Sequence, residues 1–172
     1  YGIERAKKKM RSVTQNYAKE AYILKIDISG YLTNMNTTIL YNQIQKLQLV
    51  ENTACSSFEK EVLHYLINEV IFTNPIHQCQ INGNKELWKF IPNTKSLFHS
   101  PHGCGLPIGN LTSQIFGNIY LNDFDHWVKT DLGIKYYGRY VDDMYFMHND
   151  KDFLKQCILK VQEKMQTYGM LI

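Results

Sequence analysis

Two neighbouring carboxylates, Asp142 and Asp143, lie inside the aromatic and aliphatic run YVDDMYF. Asp is unfavourable in strands, and two adjacent carboxylates in an apolar setting repel each other and lose solvation. A bound cation removes that penalty, and Mg²⁺ prefers carboxylate, phosphate and water oxygens. A third carboxylate, Asp27, ends the strand-like run AYILKID. Together the three would form a two-metal site, which stabilises the attacking and the leaving oxygen of a displacement at phosphorus.

A purely structural interpretation fits the same three residues. Asp favours turns, so Asp142 and Asp143 are also typical of a hairpin tip, and Asp27 is a suitable cap for a following helix. A short motif alone is a weak indicator of function. Spacing therefore leaves both interpretations open.

The elements that would position these carboxylates follow from hydrophobic periodicity and turn residues. Helices are predicted over residues 4–20, from the capping segment TNMNTT through ILYNQIQKL, over 56–72, from Thr112 to a stop at Gly133, and over about 151–168. Strands are predicted at AYILKIDI (21–28), IKYYGRY (134–140) and MYFMH (144–148), whereas residues 74–110 look irregular. The last two strands are separated by Val-Asp-Asp, which predicts a hairpin with the aspartates at or beside its tip.

Bulk composition narrows the class of protein. A chain of 172 residues with 44% hydrophobic content can bury one core, so we expect one globular domain. No apolar run is long enough to span a membrane, and the start YGIERAKKKMRSV lacks the apolar run of a signal peptide. We therefore expect a cytoplasmic protein with no membrane partner. The four cysteines have neither CxxC spacing nor a matching His pair, which favours reduced thiols over zinc or disulfides.

The net charge of +3 is concentrated at the start of the chain. Residues 1–20 contain two Glu and six basic residues, which are Arg5, Lys7, Lys8, Lys9, Arg11 and Lys19. Such a cluster is either the solvated face of a helix or a contact surface for a polyanion. Charge alone does not decide between them.

Three segments, in this order, resemble the palm motifs of reverse transcriptases: DISGY (27–31), GLPIGNLTSQIFGN (105–118) and YVDD (140–143). The similarity is closest to bacterial lineages such as diversity-generating retroelements, retrons and group II introns. The segment IPNTKSLFHSPHGCGLPIGNLTSQIFGNIYLN in particular resembles the retroelement-type enzymes. The resemblance implies a mixed α/β (α+β) polymerase palm, with an antiparallel sheet, a β-hairpin carrying the aspartate pair and backing helices. The implied activity is RNA-templated DNA synthesis.

The same resemblance assigns the metal ligands. Asp27 matches the first metal-binding aspartate, and the backbone carbonyl of Ile28 is a further expected ligand. Asp142 and Asp143 match the aspartate pair of the family's hairpin. These three aspartates are the expected catalytic residues. The implied cofactor is a pair of Mg²⁺ ions, with Mn²⁺ as an alternative.

Four further residues are assigned to substrate binding. Tyr31 matches an aromatic that packs under the incoming sugar and excludes a 2′-hydroxyl, although a core aromatic is the alternative. Pro107 and Gly109 allow a tight backbone path beside a nucleotide. Gly109, Ser113 and Gln114 match positions beneath the templating pair and the dNTP, with Gln114 where many relatives have Pro. The alternative is a capped helix whose polar side, with Ser113 and Gln114, meets solvent.

The implied partners are an RNA template, a DNA primer or product, and dNTPs, with an accessory protein as a further candidate. Residues 1–172 resemble one palm domain of a larger enzyme, with fingers and thumb largely missing. We therefore expect these residues alone to polymerise poorly, because in-line transfer needs primer, template and dNTP held together. The sequence does not determine the oligomeric state.

Two other functions are compatible with a palm. A nucleotide cyclase would carry a GG[DE]EF-like tip, which this sequence lacks. A non-catalytic nucleic-acid-binding or defence module would retain the fold without the chemistry.

Arg139, just before the hairpin tip, is expected on the solvent face of its strand, and contact with a backbone phosphate is the alternative.

Overall fold

The computed structural model of the chain describes residues 2–17, 20–77, 79–80 and 82–172, and for residues 2–7, 10, 17 and 85 it describes the backbone alone. The described chain forms two compact units. The first contains the residues up to Ser29, Leu121–Thr167 and Leu171–Ile172. The second contains Gly30–Tyr120 and Tyr168–Met170.

Helices and strands follow one another in a mixed order. The helices are α1 (Gly2–Tyr17), α2 (Thr37–Lys46), α3 (Ser57–Phe72), α4 (Leu111–Tyr120), α5 (Asn122–Thr130) and α6 (Lys151–Gln166). The strands are β1 (Tyr22–Asp27), β2 (Tyr136–Tyr140) and β3 (Asp143–His148). Short 3₁₀ helices lie at Pro75–His77, Lys85–Phe90, Asn93–Lys95 and Leu97–His99.

The first unit is built on an antiparallel sheet in the order β1-β3-β2. Residues directly opposite each other in such a sheet point to the same face, and successive residues alternate between faces. One face, termed here the inner face, carries Ile26, Met144 and Phe146, which are buried. Tyr137 and Arg139 of β2 share this face, and both bond Asp125 of α5. The inner face is therefore the core side of the sheet, and the predicted fold class and hairpin are confirmed.

The opposite, outer face of the sheet is covered in part by α1. Val13 packs with Tyr136 and Met147 in one buried cluster, which Tyr145 borders. The predicted helix over 4–20 is confirmed through Tyr17. The side chains of Arg5, Lys7 and Lys19 in the basic cluster lie outside the described residues. Of the basic residues that are described, Lys8 and Arg11 are exposed.

The second unit packs α2 against α3 and α4. Asn36 caps α2, since its side-chain oxygen accepts a hydrogen bond from the Ile39 amide at 2.9 Å, as the TNMNTT segment predicted. The alternative in which Asp27 caps this helix is wrong. Two backbone hydrogen bonds, from Gly105 to Met35 and from Leu106 to Leu32, hold the long irregular segment against the start of the unit.

Helix α3 is capped by Ser56 and Glu59 in a reciprocal capping box. Its apolar residues recur at helical spacing, as predicted over 56–72. Phe58, Val62 and Leu66 nevertheless remain exposed, and Ile71 is the buried residue of this helix. Hydrophobic periodicity thus predicted the helix but not which of its apolar side chains are buried.

The single helix predicted from Thr112 to Gly133 is wrong. The structure has two helices, because Leu121 leaves the helical region with φ −102° and ψ 14°. The Asp125 amide still bonds the Leu121 carbonyl at 2.8 Å, so helical bonding resumes within one turn. A break of one residue hardly disturbs the apolar period and leaves no signal in the sequence.

All four cysteines lie in described segments and are free thiols, as predicted. Burial raises the pKa of the Cys157 and Cys104 thiols, which makes both poor nucleophiles. Among the described residues, no helix is both long and apolar enough to cross a membrane.

Tyr120 provides a test of the packing in the second unit. Its hydroxyl is buried, donates to the Tyr168 carbonyl at 2.5 Å and accepts from the Asn36 amide at 3.3 Å. Burial raises the pKa of Tyr120 to about 12. An unfolded tyrosine ionises near pH ~10, so between about pH 10 and 12 the unfolded state loses a proton that the native state keeps, and stability falls as pH rises.

We expect the free energy of unfolding of the wild type to fall by about 1 kcal/mol more than that of Tyr120→Phe between pH ~9 and pH ~11. Urea denaturation at both pH values measures this difference. Tyr65→Phe, at an exposed tyrosine of the same unit, is the control and should behave as the wild type. Equal losses for the wild type and Tyr120→Phe would contradict the burial of this hydroxyl.

Candidate active site

The three predicted catalytic aspartates lie at one end of the sheet in the first unit. Asp27 is the last residue of β1 and stands directly opposite Asp143, the first residue of β3. Tyr140 of β2 stands opposite Asp143 on the other side, so Asp27, Asp143 and Tyr140 form one row across the outer face. Asp142 lies in the two-residue turn that joins β2 to β3. The register thus brings two carboxylates together as cross-strand neighbours.

A lysine compensates this pair of like charges. Lys25 lies two residues before Asp27 and therefore on the same face of β1. Its Nζ is 3.0 Å from Oδ1 of Asp143. The hydrogen bond to Asp143 is the main cause of a raised pKa at Lys25, and the charges of Asp143, Asp27 and Asp142 act in the same direction. All three carboxylates therefore act on one ammonium group.

The turn before Asp143 is strained. Val141 has φ +57°, a left-handed conformation that a β-branched residue rarely adopts. A two-residue hairpin turn with positive φ at its first position normally has Gly there. Strain of this kind persists where the surroundings fix it and is common at functional sites.

Arg139 holds this turn from the inner face. Its Nη1 donates to the Val141 carbonyl at 3.0 Å, and its Nε and Nη2 donate to the two carboxylate oxygens of Asp125 at 2.9 and 2.7 Å. The Tyr137 hydroxyl donates to the same carboxylate at 2.6 Å, and burial raises the pKa of Tyr137. The side chain of Arg139 is 5% exposed. The expectation of a solvent-facing Arg139 is therefore wrong, and its guanidinium anchors the turn.

The donor atoms at this end of the sheet are of the right kind for a divalent ion of the magnesium type. Carboxylates are the side-chain ligands that Mg²⁺ prefers, and Mg²⁺ is held by only one or two of them plus substrate phosphates and water. No group of three or more His, Cys, Asp or Glu side chains is arranged to hold a metal ion within the described part of the chain. The register supplies two adjacent carboxylates, Asp27 and Asp143, and Asp142 lies in the turn directly before Asp143.

An open groove of about 310 Å³ lies on the outer face beside this row. It is bordered by Ile23, Lys25, Tyr140, Asp143 and Tyr145. The Tyr145 ring lies over Gly138, where a Cβ would come within 2.2 Å of the Tyr145 hydroxyl. Because Gly138 has no side chain, the Tyr145 ring can lie against the backbone of β2.

Ile28, the predicted backbone ligand, directly follows β1 and is buried. The next residue, Ser29, donates its amide to the Leu171 carbonyl at 2.9 Å within the same unit. The chain after Asp27 is thus fixed by a backbone bond. The role of Ile28 as a ligand stays a prediction.

The four predicted substrate residues belong to the second unit. Tyr31 is 3% exposed, and its hydroxyl donates to the Gly117 carbonyl of α4. A Cβ at position 117 would lie 3.3 Å from the Tyr31 ring, so the absence of a side chain there lets the ring approach the helix. This packing agrees with the core alternative, and the contact of Tyr31 with a sugar stays a prediction.

The loop and helix of the second motif divide into an exposed and a buried part. Gly109 is exposed with φ +97°, a conformation that favours glycine, and Gln114 is exposed on α4. Ser113 is 1% exposed and lines a cavity of about 310 Å³ together with Glu69, Pro107 and Asn110. The alternative in which Ser113 meets solvent beside Gln114 is therefore wrong, and the contact of Ser113 with substrate stays a prediction.

Sequence reasoning missed two charged residues at this end of the sheet, Lys25 bonded to Asp143 and Asp125 bonded to Arg139. Lys25 carries a usable signal, because a residue two positions before Asp27 in a strand must share its face. Asp125 carries none, since its position on α5 looks like an ordinary polar helix residue. A larger cavity of about 560 Å³ in the second unit, bordered by the end of α3 and by residues 100–105, contains none of the predicted site residues.

A protein-family model matches this chain. The model of a protein family described as "Reverse transcriptase (RNA-dependent DNA polymerase)" matches residues 4–172. This match covers almost the whole chain and both compact units. A search of curated proteins found no match.

The Arg139–Asp125 pair generates a stability prediction. Replacing Arg139 with Met leaves the partly buried Asp125 carboxylate without its cation and releases the Val141 carbonyl. We expect Arg139→Met to lower the free energy of unfolding by about 2–4 kcal/mol, measured by urea denaturation. Lys155→Met, which removes an exposed lysine paired with Asp152 at 2.8 Å, should change it by less than about 0.5 kcal/mol. Equal stability of the two variants would show that the turn does not depend on Arg139.

Proposed function

The chain belongs to the reverse transcriptase family, and from that premise we propose that it is the palm of an RNA-directed DNA polymerase with Asp27, Asp142 and Asp143 as its catalytic residues. The observation that carries this proposal is the register of the sheet, which sets Asp27 opposite Asp143 beside the turn that contains Asp142. Like charges directly opposite each other destabilise a sheet, so the arrangement is explained best by a cation that uses both carboxylates.

In this proposal the three aspartates and the Ile28 carbonyl hold two Mg²⁺ ions, with Mn²⁺ as an alternative. Such ions stabilise charge on the attacking and leaving oxygens of nucleotidyl transfer. The contribution of the chain is to fix the carboxylates, through pairing of β1 with β3 and through the hold of Arg139 on the turn. Fixed ligands need no reorganisation as charge develops, which is the main source of electrostatic stabilisation.

The substrate assignments are part of the same proposal. Gly109 and Gln114 are exposed and available for contact with the templating pair and the dNTP. Ser113, which lines its cavity, would contact the templating pair or the dNTP from there. The ring of Tyr31 would exclude a 2′-hydroxyl sterically. The proposed partners are an RNA template, a DNA primer and dNTPs, with an accessory protein as a further candidate.

We also propose that the enzyme is bacterial, acts in the cytoplasm and serves a retroelement. The support is the segment GLPIGNLTSQIFGN at 105–118, with Gln114 in place of the more common Pro. A template repeat and a variable repeat beside the gene would identify a diversity-generating element. Their absence together with an intron or retron RNA would redirect the assignment to those classes.

The metal ligands can be tested by substitution. We expect Asp142→Asn to lower primer extension on an RNA template by about 10²-fold or more, because a metal-ligating charge is removed. The assay uses the natural protein that carries these residues, and RNA binding measured by fluorescence anisotropy should be unchanged. Mn²⁺ binding, followed by electron paramagnetic resonance on the 172-residue chain, should weaken in parallel.

Asp152→Asn is the matched control, since Asp152 is an exposed aspartate of α6 in the same unit and pairs with Lys155. It should leave extension and Mn²⁺ binding as in the wild type. Full extension by Asp142→Asn with RNA binding intact would overturn the polymerase proposal and favour a non-catalytic nucleic-acid-binding role.

The 172 residues alone are proposed to incorporate dNTPs poorly, because in-line transfer needs primer, template and dNTP held in one geometry. We expect at least about 10²-fold slower extension by this chain than by the natural protein that carries it, measured on one primer and RNA template. Folding of the chain is checked by circular dichroism. Extension at an equal rate would show that these residues hold all three substrates by themselves.

A further inference from the structure

Lys25 is a cation built into the carboxylate end of the sheet. It stands opposite Tyr145 in the register, one row from the Asp27–Asp143 pair and on the same face. Its Nζ is 3.0 Å from the carboxylate of Asp143, and the two side chains are 70% and 47% exposed. Neither the aspartate assignment nor the family description gives this lysine a role.

Stability does not explain the ion pair. An exposed lysine–carboxylate pair contributes little to folding, because it is solvated and screened. Replacing Lys25 with a residue of higher strand propensity would cost the sheet little. The placement of Lys25 beside Asp143 therefore needs an explanation other than folding stability.

Two other described cations near the groove, Lys9 and Arg139, are engaged elsewhere. The ammonium of Lys9 lies 5.3 Å from the centre of the Tyr145 ring and donates to the Tyr137 carbonyl. Arg139 borders the groove, but its guanidinium is bonded to Asp125 and Val141. Among the described side chains that border the groove, Lys25 is the cation that contacts a candidate metal ligand.

We propose that Lys25 is a positioning residue that acts as the resident counter-cation of this site: it holds Asp143 when no divalent ion is bound and must release it when one binds. The inference rests on the proposed function, since it takes Asp143 as a metal ligand. The ammonium lies at Oδ1 of Asp143, so a divalent ion bound to this carboxylate would stand close to a like charge, and the repulsion between the two cations drives the lysine away from Asp143.

Two consequences follow from the electrostatics. Lys25 keeps the opposed carboxylates of Asp27 and Asp143 from repelling each other in the metal-free protein. The same positive charge lowers the affinity of the site for a divalent cation. Tight binding then requires the additional negative charge of substrate phosphates, so Lys25 couples metal occupancy to the presence of nucleotide.

The test measures Mn²⁺ affinity of the 172-residue chain by electron paramagnetic resonance, without nucleotide and without catalysis. We expect Lys25→Met to bind Mn²⁺ about three- to thirty-fold more tightly than the wild type, the range for removing one unit charge near a divalent ion in screened water. Lys25→Arg retains the charge and should bind no more tightly than the wild type. Lys155→Met removes a similarly exposed lysine from an ion pair with Asp152 on α6 and should leave the affinity unchanged.

A double substitution separates an effect through Asp143 from a general effect of charge. In an Asp143→Asn background, Lys25 has lost the carboxylate that it holds, so Lys25→Met should raise Mn²⁺ affinity by a clearly smaller factor than in the wild-type background, through its charge alone. Circular dichroism and urea denaturation of each variant confirm folding. Retention of the full gain in the Asp143→Asn background would overturn the pairing and leave only a long-range charge effect.

The outcomes also distinguish this inference from the proposed function. If the wild type binds Mn²⁺, Asp142→Asn weakens binding and Lys25→Met has no effect, the metal site stands and the role of Lys25 is overturned. If neither the wild type nor Lys25→Met binds Mn²⁺ even with a dNTP present, the metal site itself fails. Weaker binding by Lys25→Met would also overturn the inference, because it would make the lysine a support for the ligands rather than their competitor.

Discussion

The candidate site depends on one constraint, the register in which β3 pairs with β1 and β2. This register puts Asp27, Asp143 and Tyr140 in a single row and sends Ile26, Met144 and Phe146 into the core. A slip of one residue would exchange the two faces, burying carboxylates and exposing the core. The same apolar burial that stabilises the sheet therefore also fixes which carboxylates face each other. The location of the site and the stability of the first unit therefore both depend on this register.

The turn between β2 and β3 needs its own stabilising contacts, because Asp142 lies outside the paired strands and the register does not fix its position. Val141 adopts a left-handed conformation, and Arg139 bonds its carbonyl while Asp125 holds the guanidinium. The bonds lie on the inner face, where the low exposure of Arg139 makes them stronger than equivalent surface bonds. The location of Asp142 thus depends on a polar network on the core side of the sheet, whereas Asp27 and Asp143 depend on strand pairing.

The sequence predicted the elements of this site better than their contacts. Alternation and turn residues were enough for the hairpin, and the Asn and Thr residues before α2 were enough for its cap. The break at Leu121 was not predictable, because one residue outside the helical region leaves the apolar period intact. Burial of Ser113 and Arg139 was also missed, since a polar residue is expected at the surface unless its partner is known. The partner of Arg139 is Asp125, fourteen residues earlier in the chain.

The charges at the end of the sheet explain why an apparently unfavourable arrangement persists. Two opposed carboxylates would repel, and a single lysine at 3.0 Å reduces that repulsion without burying any charge. Because the pair is exposed, its bonds are weak enough to be exchanged for another cation. A buried arginine in the same place would make stronger bonds that are harder to displace, as expected for the Arg139–Asp125 pair on the inner face. The two faces of the sheet therefore use the same kind of interaction for different ends, a permanent anchor inside and a replaceable counter-charge outside.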